Sequence, residues 1–133
     1  MRNLKKDKEP KLVCLAYVAA KDQPSVWIEE VERKQLNYIR DYARVHNIQI
    51  KTVIHRSTLG LFEANRQFEY MVKRIQDGEV DGIIVANMMV LANDITDAYY
   101  KAGRVNAAGG CMVTVDEGKL RLNIKTRCGY ERN

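Results

Sequence analysis

The sequence predicts one α/β domain with a mainly parallel sheet flanked by helices. Short apolar runs alternate along the chain with longer amphipathic segments, which is typical of strands buried between helices. In addition, the chain has 133 residues, of which 46% are hydrophobic, enough for one sizeable core. The predicted order is βαβαβαββ, and the last two strands are expected to form an antiparallel hairpin at the edge of the sheet.

The first half of the chain alternates two strands with two helices. Residues 12–18 form a continuous apolar run, which predicts a central strand. A polar loop then precedes a long amphipathic helix, expected from Ile28 to Val45. Residues 48–54 have a period of two, which predicts a strand with one more exposed face. A second helix is expected from Ala64 to Gln76, with Gly78 as the left-handed residue just past its end.

The second half adds a third parallel strand, a helix and the hairpin. Residues 83–86 are another short apolar run. The Asn-Asp pair at 93–94 can cap a helix that extends to about Ala108, because either side chain can accept hydrogen bonds from the first free amides. The runs 111–115 and 120–124 are expected to pair as the hairpin.

Composition divides the chain into a basic tail (1–10), the domain (11–125) and a C-terminal tail (126–133). The net charge of +5 has the sign expected of a protein that handles DNA, although the first eight residues supply much of it. No apolar run reaches the roughly 18 residues of a membrane span, so we expect a cytoplasmic protein that does not enter membranes. Three widely separated cysteines form no metal-ligand motif, and no metal or small-molecule cofactor is expected.

Short sequence matches along residues 11–125 point to one known family. They are Tyr17 at the end of the first strand, Gln35, the run Tyr-Ala-Arg-Val-His at 42–46, Gly60, and Ile-x-x-Gly-x-Val-Asp at 75–81. With the element order, they make the chain similar to the catalytic domain of the serine recombinases, the resolvases and invertases. The resemblance implies a domain that dimerises and whose active members cut DNA through a phosphoserine linkage.

The positions that carry the family's chemistry hold other residues. The family's Tyr-x-Arg-x-Ser falls on residues 17–21, its Asp-Arg pair on 64–65, and its Leu-Asp-Arg-Leu-Ser-Arg signature on 88–93, which reads Met-Met-Val-Leu-Ala-Asn. By this register a vestigial pocket would contain Tyr17, Ala19, Lys21, Gln35, Asn65, Met89, Val90 and Asn93. Losing one preorganised electrostatic group typically costs about 10²–10³ in rate, so losing the serine and the arginines predicts an inactive domain.

Several residues keep two interpretations. Ser25 lies four residues beyond the family's serine position, in the loop after the first strand, and is the candidate for a displaced nucleophile. Lys21 is either a substitute nucleophile or, as we expect, a solvated loop lysine. The run 88–91 is either core or a partner-binding patch, and the pair Tyr99-Tyr100 is either core or an oligomer contact. Arg66 is one position past the family's arginine and should point out of the pocket, because one helical residue turns a side chain by about 100°.

Three functions follow from these observations. The leading hypothesis is a catalytically inactive recombinase-like domain that acts as a binding or regulatory module in DNA recombination or in a mobile element, associating with itself, with a related recombinase subunit or, weakly, with DNA. The first alternative is an active site-specific DNA recombinase, or a subunit of one, that uses Ser25. The second is a small α/β domain that binds an anionic ligand at the strand ends. After Ile124 we expect neither the family's long helix nor a DNA-reading module.

Overall fold

The computed structural model describes residues 10–21 and 23–119. Their sheet has the strand order β2-β1-β3-β4-β5, and the first four of these strands run parallel. The strands are β1 (Leu12–Val18), β2 (Ile48–His55), β3 (Gly82–Val85), β4 (Cys111–Thr114) and β5 (Gly118–Lys119). The helices are α1 (Ser25–Val45), α2 (Leu61–Gln76), α3 (Met88–Leu91) and α4 (Ile95–Ala107). The predicted α/β class, a parallel sheet flanked by helices, is confirmed.

The edge beyond β4 is short in the described part of the chain. The two residues of β5 pair antiparallel with β4, Val113 opposite Lys119 and Thr114 opposite Gly118. The predicted edge hairpin of 111–115 with 120–124 is not borne out, because the described pairing involves only Gly118 and Lys119, and the predicted strand over 120–124 lies outside the described residues. The same holds for positions 1–9 of the predicted basic tail and for the C-terminal tail.

Two hydrophobic clusters cover the two faces of the sheet. Successive residues of a strand point to opposite faces, and β1 divides its side chains in this way. Leu15 and Tyr17 pack in the cluster that contains the buried side chains of α2 and α3 and Val105 of α4. Cys14, Ala16 and Val18 pack in the cluster on the α1 side. The core therefore lies on both sides of β1 and leaves the carboxyl end of this strand close to three different helices.

The period of two predicted for β2 does not persist along the whole strand. The pairing with β1 shifts by one residue after Ile50, so that Thr52 takes the position that Lys51 would have had. Thr52 is consequently exposed, whereas Val53 and Ile54 are half-buried. The prediction of strict alternation is wrong beyond this point, because one extra residue in a strand exchanges the two faces.

Helices α1 and α2 begin three residues earlier than predicted, at Ser25 and Leu61, and end where expected. The preceding residues explain the early starts. Pro24 has a φ of −57°, which its ring holds close to the helical value. Gly60 has a φ of +112°, a conformation that favours glycine and lets the chain turn sharply into α2. Gly78, at φ +80°, is left-handed after α2 as predicted.

Helix α4 is capped as the sequence suggested. Asp94 is its N-cap, and one of its carboxylate oxygens accepts a hydrogen bond of 2.8 Å from the Asp97 amide. The four-residue α3, by contrast, was not predicted. It fills the short segment between β3 and α4 and buries three of its four side chains.

Candidate functional site

A narrow cleft lies where the carboxyl ends of β1 and β2 meet α2 and α4. Four of the residues that line it are ones the family register singled out, namely Tyr17, Lys21, Asn65 and Asn93. Four others are Arg56, Phe68, Leu91 and Lys101. The side chains leave a space of about 10 Å³ between them, the room of about one water molecule.

Lys101 is the most buried charged group of this cleft, with 5% of its surface exposed. Its Nζ lies 2.8 Å from Oδ2 of Asp97, one helical turn earlier on α4. It also donates to the Leu91 carbonyl at 3.2 Å and lies 5.6 Å from the centre of the Phe68 ring. This ammonium group therefore joins α4 to the end of α3, and its charge is compensated within the fold.

Lys21 is not the solvated loop lysine that the sequence suggested. It is half-buried, and its Nζ donates a hydrogen bond of 2.7 Å to the carbonyl of Ala92. The prediction was wrong because the acceptor lies 71 positions along the chain and the loop alone gives no sign of it. Lys21 thus ties the segment after β1 to the segment after α3.

Tyr17 is buried at the bottom of the cleft and is 2% exposed. Burial raises the pKa of its hydroxyl to about 12; the charge of Glu32 also raises this pKa, while the charge and hydrogen bond of Arg56 lower it. The phenol consequently stays protonated near neutral pH. It can donate a hydrogen bond but cannot serve as an anionic nucleophile.

Neither serine is among the residues that line the cleft. Ser25 was expected in the loop after β1, but it is the first residue of α1 and is exposed to solvent. Ser57 follows β2, and its Oγ accepts a hydrogen bond of 3.0 Å from the Leu59 amide. In the described part of the chain, no serine therefore lines the cleft that contains Lys21, Arg56 and Lys101.

Two of the predicted pocket residues support the cleft from behind. Ala19 is buried beside β1, and its amide donates to Oε1 of Gln35 at 3.0 Å. Nε2 of Gln35 donates in return to the Ala19 carbonyl at 2.5 Å. Gln35 therefore pairs with the end of β1 much as a neighbouring strand would, and it holds the loop that carries Lys21.

The sequence left two interpretations open for the run 88–91, core or exposed patch, and different residues of the run follow different ones. As α3 turns, Met88, Val90 and Leu91 enter the core, while Met89 is 44% exposed. Val90 and Met89 consequently do not line the cleft, although the register placed both in the pocket. In a helical turn successive side chains point in different directions, so Met89 and Val90 do not enter the same pocket.

The sequence analysis missed the two cations that the tertiary fold adds, Arg56 and Lys101. Lys101 follows Asp97 by four positions, a spacing that places the pair on one helix face. That spacing was a usable signal, because the same face carries the buried Ala102 and Val105. Arg66, in contrast, is exposed and pairs with Glu63 at 3.4 Å, so it points away from the cleft as predicted.

Among residues 10–21 and 23–119, no group of three or more histidine, cysteine, aspartate or glutamate side chains could hold a metal ion. Nor does any helix in that part of the chain combine the length and apolar character needed to cross a bilayer.

Comparison with known proteins shows which solved structures have a similar fold. No protein-family model and no curated protein sequence matches the chain. Among solved structures it resembles the C-terminal catalytic domain of ISC1926 TnpA, an IS607-like serine recombinase, with a TM-score of 0.61 and 18% identity over 77% of this chain and 67% of that one. The fold is that of a serine recombinase catalytic domain.

Two further structures have this recombinase fold. A resolvase family site-specific recombinase from Streptococcus pneumoniae has a TM-score of 0.66 and 15% identity, and the match covers 80% of this chain and 74% of that one. The N-terminal catalytic domain of TP901-1 integrase has a TM-score of 0.59 and 13% identity over 80% and 78% of the two chains. At such identities the likeness concerns the fold, and activity has to be argued from the cleft itself.

Proposed function

We propose that this chain is a catalytically inactive serine-recombinase-like domain that serves as a binding or regulatory module in DNA recombination. The proposal rests on the chemical types of the side chains that line the cleft. Its polar groups are lysine, arginine, amide and phenol side chains, with no seryl hydroxyl among the residues that line it. A covalent attack on a DNA phosphate needs a nucleophile within reach of the groups that stabilise the developing charge.

The state of the two lysines supports the same conclusion. Lys101 is paired with Asp97, and Lys21 donates to the Ala92 carbonyl. Both ammonium groups are therefore engaged in contacts within the fold. The space left between the side chains, about 10 Å³, is too small for a phosphate group. A phosphodiester could enter only if these contacts were broken.

Incubation with supercoiled plasmid DNA should give neither nicked product nor a covalent protein–DNA adduct. We expect this because neither serine is among the residues that line the cleft. The measurement is denaturing electrophoresis and mass spectrometry of the quenched reaction, with an active serine recombinase on its own site as the positive control. An adduct would contradict the proposal, and its absence in Ser25→Ala but not in Ser57→Ala would identify the displaced nucleophile.

An exposed apolar surface on α3 and α4 suggests the partner. Its residues are Met89, Ile95, Tyr99 and Tyr100, which are 44%, 66%, 59% and 55% exposed. Ile95 and Tyr99 are four positions apart and share one face of α4. The resemblance implies that recombinase domains dimerise partly through this helix, so we propose a second copy of the chain, or a related recombinase subunit, as the occupant.

Replacing both Ile95 and Tyr99 with lysine should weaken self-association at least tenfold, because each new ammonium group would have to be desolvated in the contact. Sedimentation velocity over a concentration series measures this change. Val45→Lys is the control, since Val45 is 74% exposed at the end of α1, away from this surface. Equal association of the double variant and the parent would mean that another surface mediates the contact.

A further inference from the structure

The two faces of the sheet differ in which helices cover them. On one face α2, α3 and α4 contribute buried side chains to the core. On the other face α1 is the one helix of the described residues that does so, and it packs mainly on β1 and β2. Strand β3 separates β4 from β1, which places β4 about 10 Å from β1. The α1 side of β4 therefore lies beyond the strands on which α1 mainly packs.

Two residues of β4 on this side are nevertheless buried. Cys111 is 2% exposed and Val113 is 0% exposed, and both belong to the cluster on the α1 side. In addition, Cys111 is disulfide-bonded. The identity of its partner therefore decides which part of the chain lies against this side of β4.

Cys14 is excluded as the partner of Cys111, because it is free and buried in β1. Cys14 pairs with Gly82 of β3, and Gly82 pairs in turn with Cys111, so two strand spacings, about 10 Å, separate the two cysteines. A disulfide requires Cα atoms within about 7 Å of each other. Burial also raises the pKa of the Cys14 thiol to about 12, and the charge of Asp81 contributes to this rise. The thiol of Cys14 consequently stays protonated and unreactive.

The third cysteine of the chain is Cys128. The described residues end at Lys119, which pairs with Val113, two positions from Cys111 on the same strand. An extended chain spans up to about 3.3–3.6 Å per residue. The nine residues that follow Lys119 are therefore more than long enough to bring Cys128 back to Cys111.

We infer that Cys128 is the disulfide partner of Cys111 and that residues 120–133 lie over the α1 side of β4, where this bond holds them. The segment carries the apolar side chains Leu122 and Ile124, which can supply the contact that buries this side of the strand. The inference goes beyond the proposed function and does not depend on it.

The bond makes the position of this segment depend on redox conditions. Two protein thiols and one small-molecule disulfide, such as oxidised glutathione, give the protein disulfide and two small-molecule thiols, which take up the two protons. A reducing dithiol reverses the exchange. Disulfides in cytosolic proteins are usually transient and catalytic or redox-sensing. Oxidation therefore fastens the segment to the sheet, and reduction releases it.

Peptide mapping of the full chain after exposure to oxidised glutathione tests the pairing, because trypsin places the three cysteines in separate peptides. The peptides of Cys111 and Cys128 should be recovered as one disulfide-linked product, with Cys14 alkylated as a thiol after unfolding. In Cys128→Ser, Cys111 should remain a thiol. Cys14→Ala is the matched control and should keep the bond. A bond between Cys111 and Cys14, a bond formed only between two chains, or no bond at all would overturn the inference.

Thermal unfolding and hydrogen exchange test what the bond does. A reductant should lower the midpoint of thermal unfolding of the parent by about 10 °C, because the bond restricts the unfolded chain, and should leave that of Cys128→Ser unchanged. Hydrogen exchange in residues 111–114 should become at least about tenfold faster when the parent is reduced, because β4 then opens more readily.

Two results would contradict this role of the bond. An equal midpoint with and without reductant would mean that the bond does not stabilise the fold, and an unchanged exchange rate would mean that it holds no cover over β4. Neither result affects the plasmid cleavage and self-association tests, so this inference and the proposed function fail separately.

Discussion

Replacing Lys101 with methionine is expected to lower the free energy of unfolding by about 3 kcal/mol. Methionine keeps most of the volume but removes the ammonium group, which is compensated by Asp97 and hydrogen-bonded to the Leu91 carbonyl. The side chain of Asp97 is 23% exposed, so the variant leaves a partly buried carboxylate without its cation. Urea unfolding followed by circular dichroism measures the change.

Helix α2 offers a matched control for this substitution. Lys73 and Asp77 have the same spacing of four residues and are 3.5 Å apart, but the Lys73 side chain is 61% exposed. Lys73→Met should cost less than about 1 kcal/mol, because exposed pairs are screened by water. If the two variants lost equal stability, the burial of Lys101 would not be the source of its effect.

The contribution of Lys101 should also depend on pH. Burial alone would raise the pKa of the Asp97 carboxyl. The hydrogen bonds from Lys101 and the Asn93 amide, with the charges of Lys101 and Lys21, outweigh burial and hold this pKa below its usual value of 3.8. A carboxyl with a lowered pKa stabilises the fold above its unfolded pKa and loses that contribution as pH falls through its folded pKa. The stability difference between the parent and Lys101→Met should therefore shrink below about pH 4, and a constant difference would attribute it to packing.

Replacing Gly82 with alanine is expected to cost about 3 kcal/mol for a different reason. Gly82 begins β3 and pairs with Cys111 of β4. A Cβ at this position would lie 2.1 Å from the Cys111 carbonyl oxygen and 3.0 Å from its carbonyl carbon. Since the obstacle is the backbone, two central strands would have to separate, and thermal unfolding should detect the loss.

Gly103 of α4 provides the comparison for Gly82. A Cβ added there would meet no atom within 4 Å. Alanine favours a helix interior over glycine by up to about 1 kcal/mol, so Gly103→Ala should leave stability unchanged or raise it. Destabilisation by both substitutions would show that the close approach of β3 and β4 is not what makes Gly82 sensitive.

Local patterns predicted most of the fold, because burial repeats along each element. The spacing of Phe68, Met71, Val72 and Ile75 defines the face of α2 that is buried. The apolar run of β1 indicated a strand covered on both sides. Boundaries were less predictable, since the start of α2 depends on the backbone turn at Gly60, and α3 has only four residues, too few to show a period.

The cleft was only partly predictable for a physical reason. The register brought Lys21, Asn65 and Asn93 together, but it placed Val90 in the same pocket, where α3 instead turns it into the core. Arg56, which directly follows β2, also lines the cleft, and no sequence motif predicted this position. Such convergence depends on how loops from separate strands meet, which no local pattern encodes.

By itself, the sequence determined the α/β layout. This layout depends on residue type and spacing along the chain. Only the tertiary structure decided what the remaining cations do. Lys101 forms a buried ion pair with Asp97. Lys21 donates a hydrogen bond to the Ala92 carbonyl, beside an open pocket that it lines together with Arg56. The state of an ionic group depends on which carbonyls and carboxylates the fold brings within about 3 Å of it.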